Sequence, residues 1–330
     1  MSKRDPLKFC AALSALTVAV TGAALSGAAV AQDFPSKPIR LIIPAASGAL
    51  EIMGRAVTQK MSEAYGQPIV VEPRPGANGM IGSDFVAKSA PDGYTILLAT
   101  SSTHASAPYS YRNMPYDPVK DFTPLAPGVT TVNLIAVANG LPVGNIRELI
   151  DYAKKNPGKL TYSTSGTGSV LHMIGEMFQS QFGVKLTHVP YKGSAPAMVA
   201  IVSGEVDMGI TGSSETLPQL KAGKLKVLAA TETSRYRDLP DVPALVELLP
   251  SYDKPPAWFA FFGPAGMQRP VVNRLNAEMV KALSMPDVSG PLLKFGFFTT
   301  PGSPEDLAAL LKRSLALHGE AAKLAGIKPE

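Results

Sequence analysis

Residues 39–66 read IRLIIPAASGALEIMGRAVTQKMSEAYG, and they show the structural unit from which the rest of the chain is built. Ile39-Arg40-Leu41-Ile42-Ile43 is a short apolar run stopped by Pro44, the pattern of a buried strand. Ala45-Ala46-Ser47-Gly48-Ala49 is a loop of small residues. From Leu50 to Tyr65 apolar side chains return at helical spacing (Ile52, Val57, Met61, Ala64), and Gly66 stops the helix. A strand, a short Gly/Ser loop and a helix, in that order, is the repeating unit of a parallel sheet with helices on its faces.

The same rhythm runs outward from this unit. Pro68–Glu72 is the next strand, residues 73–79 form a turn-rich loop, and a helix passes through Phe85 and Val86 to Ser89. Pro91-Asp92-Gly93 is a turn before a strand at Tyr94–Ala99. Beyond these, strands are predicted at Leu134–Val137, Leu160–Ser163, Lys185–Val189, Val206–Ile210 and Val227–Ala230. Between them lie helices: one capped by Asn145 with Glu148 in a capping box, then Val170–Phe182, Ser194–Val202 and Leu217–Lys221. The C-terminal part has an aromatic strand at Trp258–Phe262 and two long helices. One starts near Pro270; the other has Ser303 as N-cap, Pro304 at its first position and Asp306 at its third. There is no repeat of 20–50 residues and no low-complexity tether. The expected fold is therefore α/β, with two doubly wound lobes joined by crossing strands and a cleft between them. Lobe one is expected to hold residues 32–131 and 257–330, and lobe two residues 132–256.

The chain has 330 residues, 45% apolar and 17% charged, which excludes disorder and small disulfide scaffolds. Its net charge is +5 without any run of basic residues, so nucleic acid is not an expected partner. Lys3, Arg4 and Lys8 precede an apolar stretch from Phe9 to about Leu25, and Ala29-Val30-Ala31 stands before Gln32. This is the pattern of a secretory signal over residues 1–31. A membrane anchor is the alternative reading; the apolar core is short and rich in Ala and Gly for that role. Cys10, the single cysteine, would leave with the signal. A chain without thiols suits an oxidising compartment such as a bacterial periplasm.

Loops 45–49, 73–79, 100–104, 164–169 and 190–194 are rich in Gly, Ser and Thr, and each follows a predicted strand. In doubly wound folds such loops lie at the carboxyl ends of the strands, where ligands bind. Helix starts there offer free N–H groups and partial positive charge, so they hold anions without a Lys or Arg. The candidate binding set is Ala46, Ser47, Gly48, Asn78, Gly79, Ser101, Thr103, His104, Ser165, Thr167, Gly168, Ser169, His172, Tyr191, Asp207 and Thr211. The alternative is that the Gly and Ser residues are ordinary turn formers. His172 either faces the cleft or packs beside a loop. Asp207 either points into the cleft or pairs with neighbouring backbone. Tyr191 either reaches a ligand or packs in its turn, and Arg74 either meets the anion or braces its own loop. No His-Glu-x-x-His, Walker loop or Gly-x-Ser-x-Gly elbow is present, and no two of the four histidines sit at metal-ligand spacing on one element. The expectation is a binding protein with no catalysis, metal or cofactor. The competing readings are a secreted hydrolase or lyase using His104 or His172 as base, and a sensor that presents its bound ligand to a membrane signalling protein.

Several stretches resemble the periplasmic solute receptors of the tripartite tricarboxylate transporter family, the Bug receptors. They are Phe34-Pro35-Ser36-Lys37-Pro38-Ile39-Arg40, Arg74-Pro75-Gly76-Ala77 with Gly79 and Ile81-Gly82, Ala90-Pro91-Asp92-Gly93-Tyr94-Thr95 and the run 116–122. Pro157-Gly158-Lys159-Leu160, His188-Val189-Pro190-Tyr191-Lys192-Gly193, Gly204-Glu205-Val206-Asp207 and Leu239-Pro240-Asp241-Val242-Pro243 continue the likeness, and Pro264-Ala265-Gly266 and Leu275-Asn276-Ala277-Glu278 end it. The resemblance implies a periplasmic-binding-protein-like fold. It implies a monomer that closes on a small carboxylate and delivers it to the membrane subunits of a transporter. Loop amides, hydroxyls and water would hold the acid. Two departures bear on the ligand. The run Pro44–Glu51 is shorter than the family's proline- and Phe-containing loop, which implies a larger pocket end and admits an aromatic dicarboxylate. Thr211 stands where many relatives carry Asp, which removes a partner for a ligand ammonium.

Overall fold

The computed structural model describes residues 34–45, 48–232, 234–324 and 326–329. Within these, the strands assemble into two mixed sheets, one of six strands and one of five. The predicted signal, residues 1–31, lies outside the described residues. No helix among the described residues is long and apolar enough to cross a membrane.

The first lobe starts with β1 (Ile39–Ile43), α1 (Ala49–Tyr65), β2 (Ile69–Pro73), α2 (Met80–Ala87) and β3 (Thr95–Thr100). A π-helical turn (Ser102–Ser106) then runs into a short helix, α3 (Ala107–Ser110), before β4 (Phe122–Thr131). The second lobe is one unbroken span: β5 (Asn133–Ala138), α4 (Ile146–Lys155), β6 (Thr161–Thr164), α5 (Val170–Phe182), β7 (Thr187–Pro190), α6 (Ser194–Ser203), β8 (Met208–Gly212), α7 (Ser213–Lys221) and β9 (Leu225–Ala230). The chain returns to the first lobe through β10 (Trp258–Pro264), α8 (Arg269–Ser284), α9 (Pro286–Lys294), β11 (Phe297–Thr299) and α10 (Pro304–Leu324).

The alternation of strands and helices predicts parallel sheets, and the structure departs from this at defined strands. The order is β11-β4-β10-β3-β1-β2 in the first sheet and β7-β6-β8-β5-β9 in the second. β1, β2 and β3 are parallel, as are β6, β7 and β8, but β10 and β5 run against their neighbours. The cause is the crossing. β4 ends at Thr131 and β5 starts at Asn133, opposite Gly212 at the carboxyl end of β8. Trp258 likewise starts β10 opposite Thr130, near the carboxyl end of β4. A chain that leaves one sheet at the carboxyl ends of its parallel strands enters the other at that same end, so its first strand must run away from it.

Each lobe has its own core. In lobe two, Ile146, Leu149, Ile150 and Ala153 of α4 are buried against Tyr162, Ile174 and Phe178, as the helical spacing predicts. Each large aliphatic side chain so buried contributes about 1.5–3 kcal/mol. Asn145 caps α4 by accepting the Glu148 N–H (3.0 Å), while the Glu148 carboxylate accepts from Gly144 N–H (2.6 Å), one residue earlier than expected for a capping box. In lobe one, Trp258 and Phe262 pack with Leu97, Tyr116 and Leu311. The indole Nε1–H of Trp258 donates to Ser314 Oγ (2.8 Å), and both side chains are buried. Ser314→Ala leaves that N–H without an acceptor and is expected to cost about 1–3 kcal/mol. A lowered urea midpoint, read by the fluorescence of the single tryptophan, checks this.

Candidate functional site

The strand-end loops of lobe one converge. The main chain from Gly76 to Gly79 has positive φ throughout (123°, 47°, 52° and 88°), including the non-glycine Ala77 and Asn78. Such angles cost a non-glycine residue about 1–2 kcal/mol, so the surrounding contacts must impose this shape. Gly79 is buried, and a Cβ there would stand 2.7 Å from Thr103 Cγ2 and 3.2 Å from Pro44 O. The loops after β1, β2 and β3 are therefore in mutual contact. Asn78 Nδ2 is buried with no acceptor among the described residues. Thr103 is locked in its turn. Its Oγ1 donates to Thr100 O (2.9 Å), its N–H donates to Thr100 Oγ1 (3.1 Å), and its carbonyl accepts from Tyr116 OH (2.8 Å).

Across the lobes, this turn meets the loop after β6. Ser106 Oγ donates to Gly168 O (2.6 Å), and Ser110 Oγ lies 3.3 Å from the same oxygen. Ser102 Oγ accepts from Val170 N–H (3.3 Å), at the start of α5. Gly168 has φ +71°, and a Cβ there would sit 2.5 Å from Ser110 Cβ. A second bridge joins Ser213 Oγ to Gly296 O (3.4 Å). Within lobe two, Ser165 O accepts from Gly193 N–H (3.2 Å), which draws the loop after β7 to the loop after β6. Ser169 caps α5 by accepting the His172 N–H (3.2 Å).

The structure thus brings together Asn78, Gly79, Thr103, Ser165, Gly168, Ser169 and His172, with Thr167 exposed beside them. Ala46 and Ser47 lie outside the described residues. Gly48 is exposed at the start of α1, with φ +99°. Ser101 is buried, and its Oγ accepts the Trp258 N–H (3.3 Å), so it braces β10.

Four candidates are corrected. His104 is fully buried with ring centroids 4.5 Å from Phe122 and 4.6 Å from Phe262, and burial pushes its pKa down to about 3. It is a core residue: Thr103 Oγ1 lies 2.9 Å from its Nδ1, the rings of Tyr116, Phe122 and Phe262 pack around it, and its buried Nε2 meets no hydrogen-bond partner among the described residues. Asp207 precedes β8, at the end of the strand opposite the loops, where its carboxylate accepts from Thr161 N–H (2.8 Å) and Oγ1–H (2.9 Å). Tyr191 turns its hydroxyl away from the loops to donate to Glu205 (2.7 Å). Thr211 is buried, with its hydroxyl 2.7 Å from Thr216 Oγ1 and 3.5 Å from Leu134 O, and so is committed inside lobe two. Arg74 braces its loop through Glu72 (2.7 Å) and lies 3.7 Å from the Phe85 ring centroid.

Sequence reasoning missed Ser102, Ser106 and Ser110. Their spacing of four residues puts three hydroxyls on one helical face, but Ser, Thr and His are weak helix formers and hide the helix. It also missed the ion pair between buried Lys254 Nζ and half-buried Glu232 Oε1 (2.7 Å). The Glu232 oxygen accepts Asn133 N–H as well (3.0 Å), so this one carboxylate ties both crossing segments together.

A family model described as the tripartite tricarboxylate transporter family receptor matches residues 53–326. An R. palustris protein solved with adipate is 35% identical, with a TM-score of 0.85, covering 90% of this chain and 100% of that one. The periplasmic binding protein BugD is 32% identical, with a TM-score of 0.82 over 90% of this chain and 100% of its own. MatC from Rhodopseudomonas palustris, with bound malate, is 30% identical, with a TM-score of 0.80 over 88% and 100% of the two chains.

Proposed function

The chain belongs to the tripartite tricarboxylate transporter receptor family, and from that premise we propose that it captures a small dicarboxylate in the periplasm and delivers it to membrane transporter subunits. The family's members are solute receptors, and this chain is one of them. The observation that carries the ligand class is the meeting of strand-end loops from both lobes at Ser102, Ser106, Gly168 and Val170. There, backbone dipoles and hydroxyls face each other across the lobes, and the start of the 13-residue helix α5 supplies partial positive charge. Relatives crystallised with adipate and with malate support a linear diacid. Asn78 Nδ2, the hydroxyls of Ser102 and Ser169 and the main-chain N–H of the exposed Thr167 are the groups assigned to it. Binding would stabilise the closed arrangement of the lobes.

The hydrolase or lyase reading loses its bases. His104 is enclosed by aromatic rings, and His172 Nδ1 is occupied by the Gly168 N–H (3.1 Å). The committed hydroxyl of Thr211 leaves no carboxylate at that position for a ligand ammonium. Calorimetry at pH 7.5 with adipate, malate, terephthalate, aspartate and glutamate tests this. At least one plain diacid is expected to bind at least 100-fold more tightly than either amino acid. Tight binding of aspartate or glutamate with none of the plain diacids would reject the proposal.

A further inference from the structure

We propose that His172 and His188 are positioning residues that pin both ends of the loop between β6 and α5 as a stacked imidazole pair. The proposal rests on the receptor reading for its functional meaning, since this loop carries the Thr167 N–H and the Ser169 hydroxyl assigned to the ligand. The rings lie face to face, with centroids 4.0 Å apart and an interplanar angle of 12°. One ring comes from α5 and the other from β7, so the stack clamps the loop between two elements.

Each ring holds one end of the loop. His172 Nδ1 accepts the Gly168 N–H (3.1 Å), and His188 Nε2 lies 2.7 Å from Thr164 Oγ1. Thr164 Oγ1 is also 3.3 Å from both the N and the O of Gly166, so the hydroxyl passes the constraint to the middle of the loop. Gly168 in turn presents its carbonyl to Ser106 of the other lobe (2.6 Å). The imidazole pair therefore sets the position of the group through which the lobes meet.

The geometry fixes the chemistry of His172. An Nδ1 that accepts a hydrogen bond carries no proton, so the neutral ring bears its proton on Nε2. That nitrogen is 3.7 Å from Glu176 Oε1. The Glu176 oxygen is itself held by Tyr162 OH and by Gln179 Nε2 (2.6 Å). Tyr162 also lies against the second imidazole, with ring centroids 4.9 Å apart. The titratable groups facing the stack are thus Glu176 on α5 and Tyr162 on β6. Two imidazolium ions cannot share a 4.0 Å stack without strong repulsion. Protonating His172 Nδ1 would also set a donor against the Gly168 N–H. The Gly168 N–H is held only while His172 is neutral, and burial lowers the His172 pKa to about 4.

The test uses the unliganded mature protein with His172→Gln and His172→Leu. Glutamine keeps an acceptor near Gly168; leucine fills the space without one. At pH 7, amide exchange at Gly168 is expected to rise about tenfold or more in His172→Leu and to stay within about threefold of wild type in His172→Gln. Exchange in α4, far along the same lobe, should be unchanged in both. ¹⁵N chemical shifts should show wild-type His172 as the Nε2–H tautomer, neutral at pH 5.5. An Nδ1–H tautomer, a ring that titrates near 6.5, or equal loosening of the whole lobe in both variants would overturn the proposal. Adipate at pH 7.5 is the binding probe. It should bind His172→Leu about tenfold more weakly than His172→Gln. Adipate that fails to bind wild type, with the exchange and tautomer results as expected, would count against the adipate-like ligand class and leave the pinned loop standing.

Discussion

Between pH 6.5 and 4.5 the folded protein is expected to lose about 4 kcal/mol of stability from two histidines alone. His104 and His318 are both fully buried, and burial holds their imidazoles near 3 and near 4. An unfolded histidine takes up its proton near pH 6.5. Below that pH the unfolded state binds protons that the folded state refuses, so stability falls as pH falls, by about 1.4 kcal/mol per unit for each such group. The loss levels off only near the folded pKa. His172 and His188 act in the same direction, also from burial. A domain holds only about 5–15 kcal/mol in reserve, so unfolding in mild acid follows. The carboxylates add their part at lower pH: Glu247, held near 2 first by Arg235, matters only below the ordinary carboxylate range. Urea unfolding at pH 7, 6, 5 and 4.5 measures the slope. His318→Gln can still donate to Ser314 O and should remove about one proton from it. Stability that stays flat from pH 7 to 4.5 would contradict the burial of these rings.

Gly168→Ala is expected to weaken ligand binding about 100-fold while leaving each lobe folded. The new Cβ would stand 2.5 Å from Ser110 Cβ on the other lobe, at a φ of +71°. Overpacking costs about 1–3 kcal/mol and the left-handed backbone about 1 kcal/mol more. Most of that strain exists only when the lobes are together, so it falls on closure and not on folding. A small change in melting temperature, with a large loss of affinity for the diacid that wild type binds, is the expected pattern. Ser110→Gly in the same chain removes the opposing atom and should recover most of the affinity. An unchanged affinity in Gly168→Ala would show that the lobes do not need this contact.

Much of this architecture was legible before any coordinates. The bounds of α5 follow from Ser169 and Gly183, because a capping hydroxyl and a left-handed glycine are local signals. Ser303 caps α10 through reciprocal bonds with Asp306 (2.8 and 3.1 Å) for the same reason. β4 was hidden because Pro124, Pro127 and Gly128 interrupt it; its irregular register against β10 accommodates them. α9 and β11 are short and carry little periodicity. In the site, the loops were readable as loops, but the direction of a side chain was not. Asp207 and Thr211 are four residues apart, just before β8 and near its end; Asp207 is committed by Thr161, 46 residues away, and Thr211 by Thr216 on the helix that follows β8. His104 looked like a base because nothing local reveals that Phe262, far along the chain, lies over it.

The interleaved strand order has a consequence for the newly made chain. The sheet of lobe two draws on residues 133–230 without a break, so it can form once that span has emerged. The sheet of lobe one cannot, because β10 fills the slot between β3 and β4 and comes only at Trp258–Pro264. Until then the earliest part of the polypeptide waits with two open strand edges beside a finished neighbour, the state in which chains stick to one another. A stop codon or protease cut shortly before residue 258 would therefore injure the beginning of the protein more than its middle.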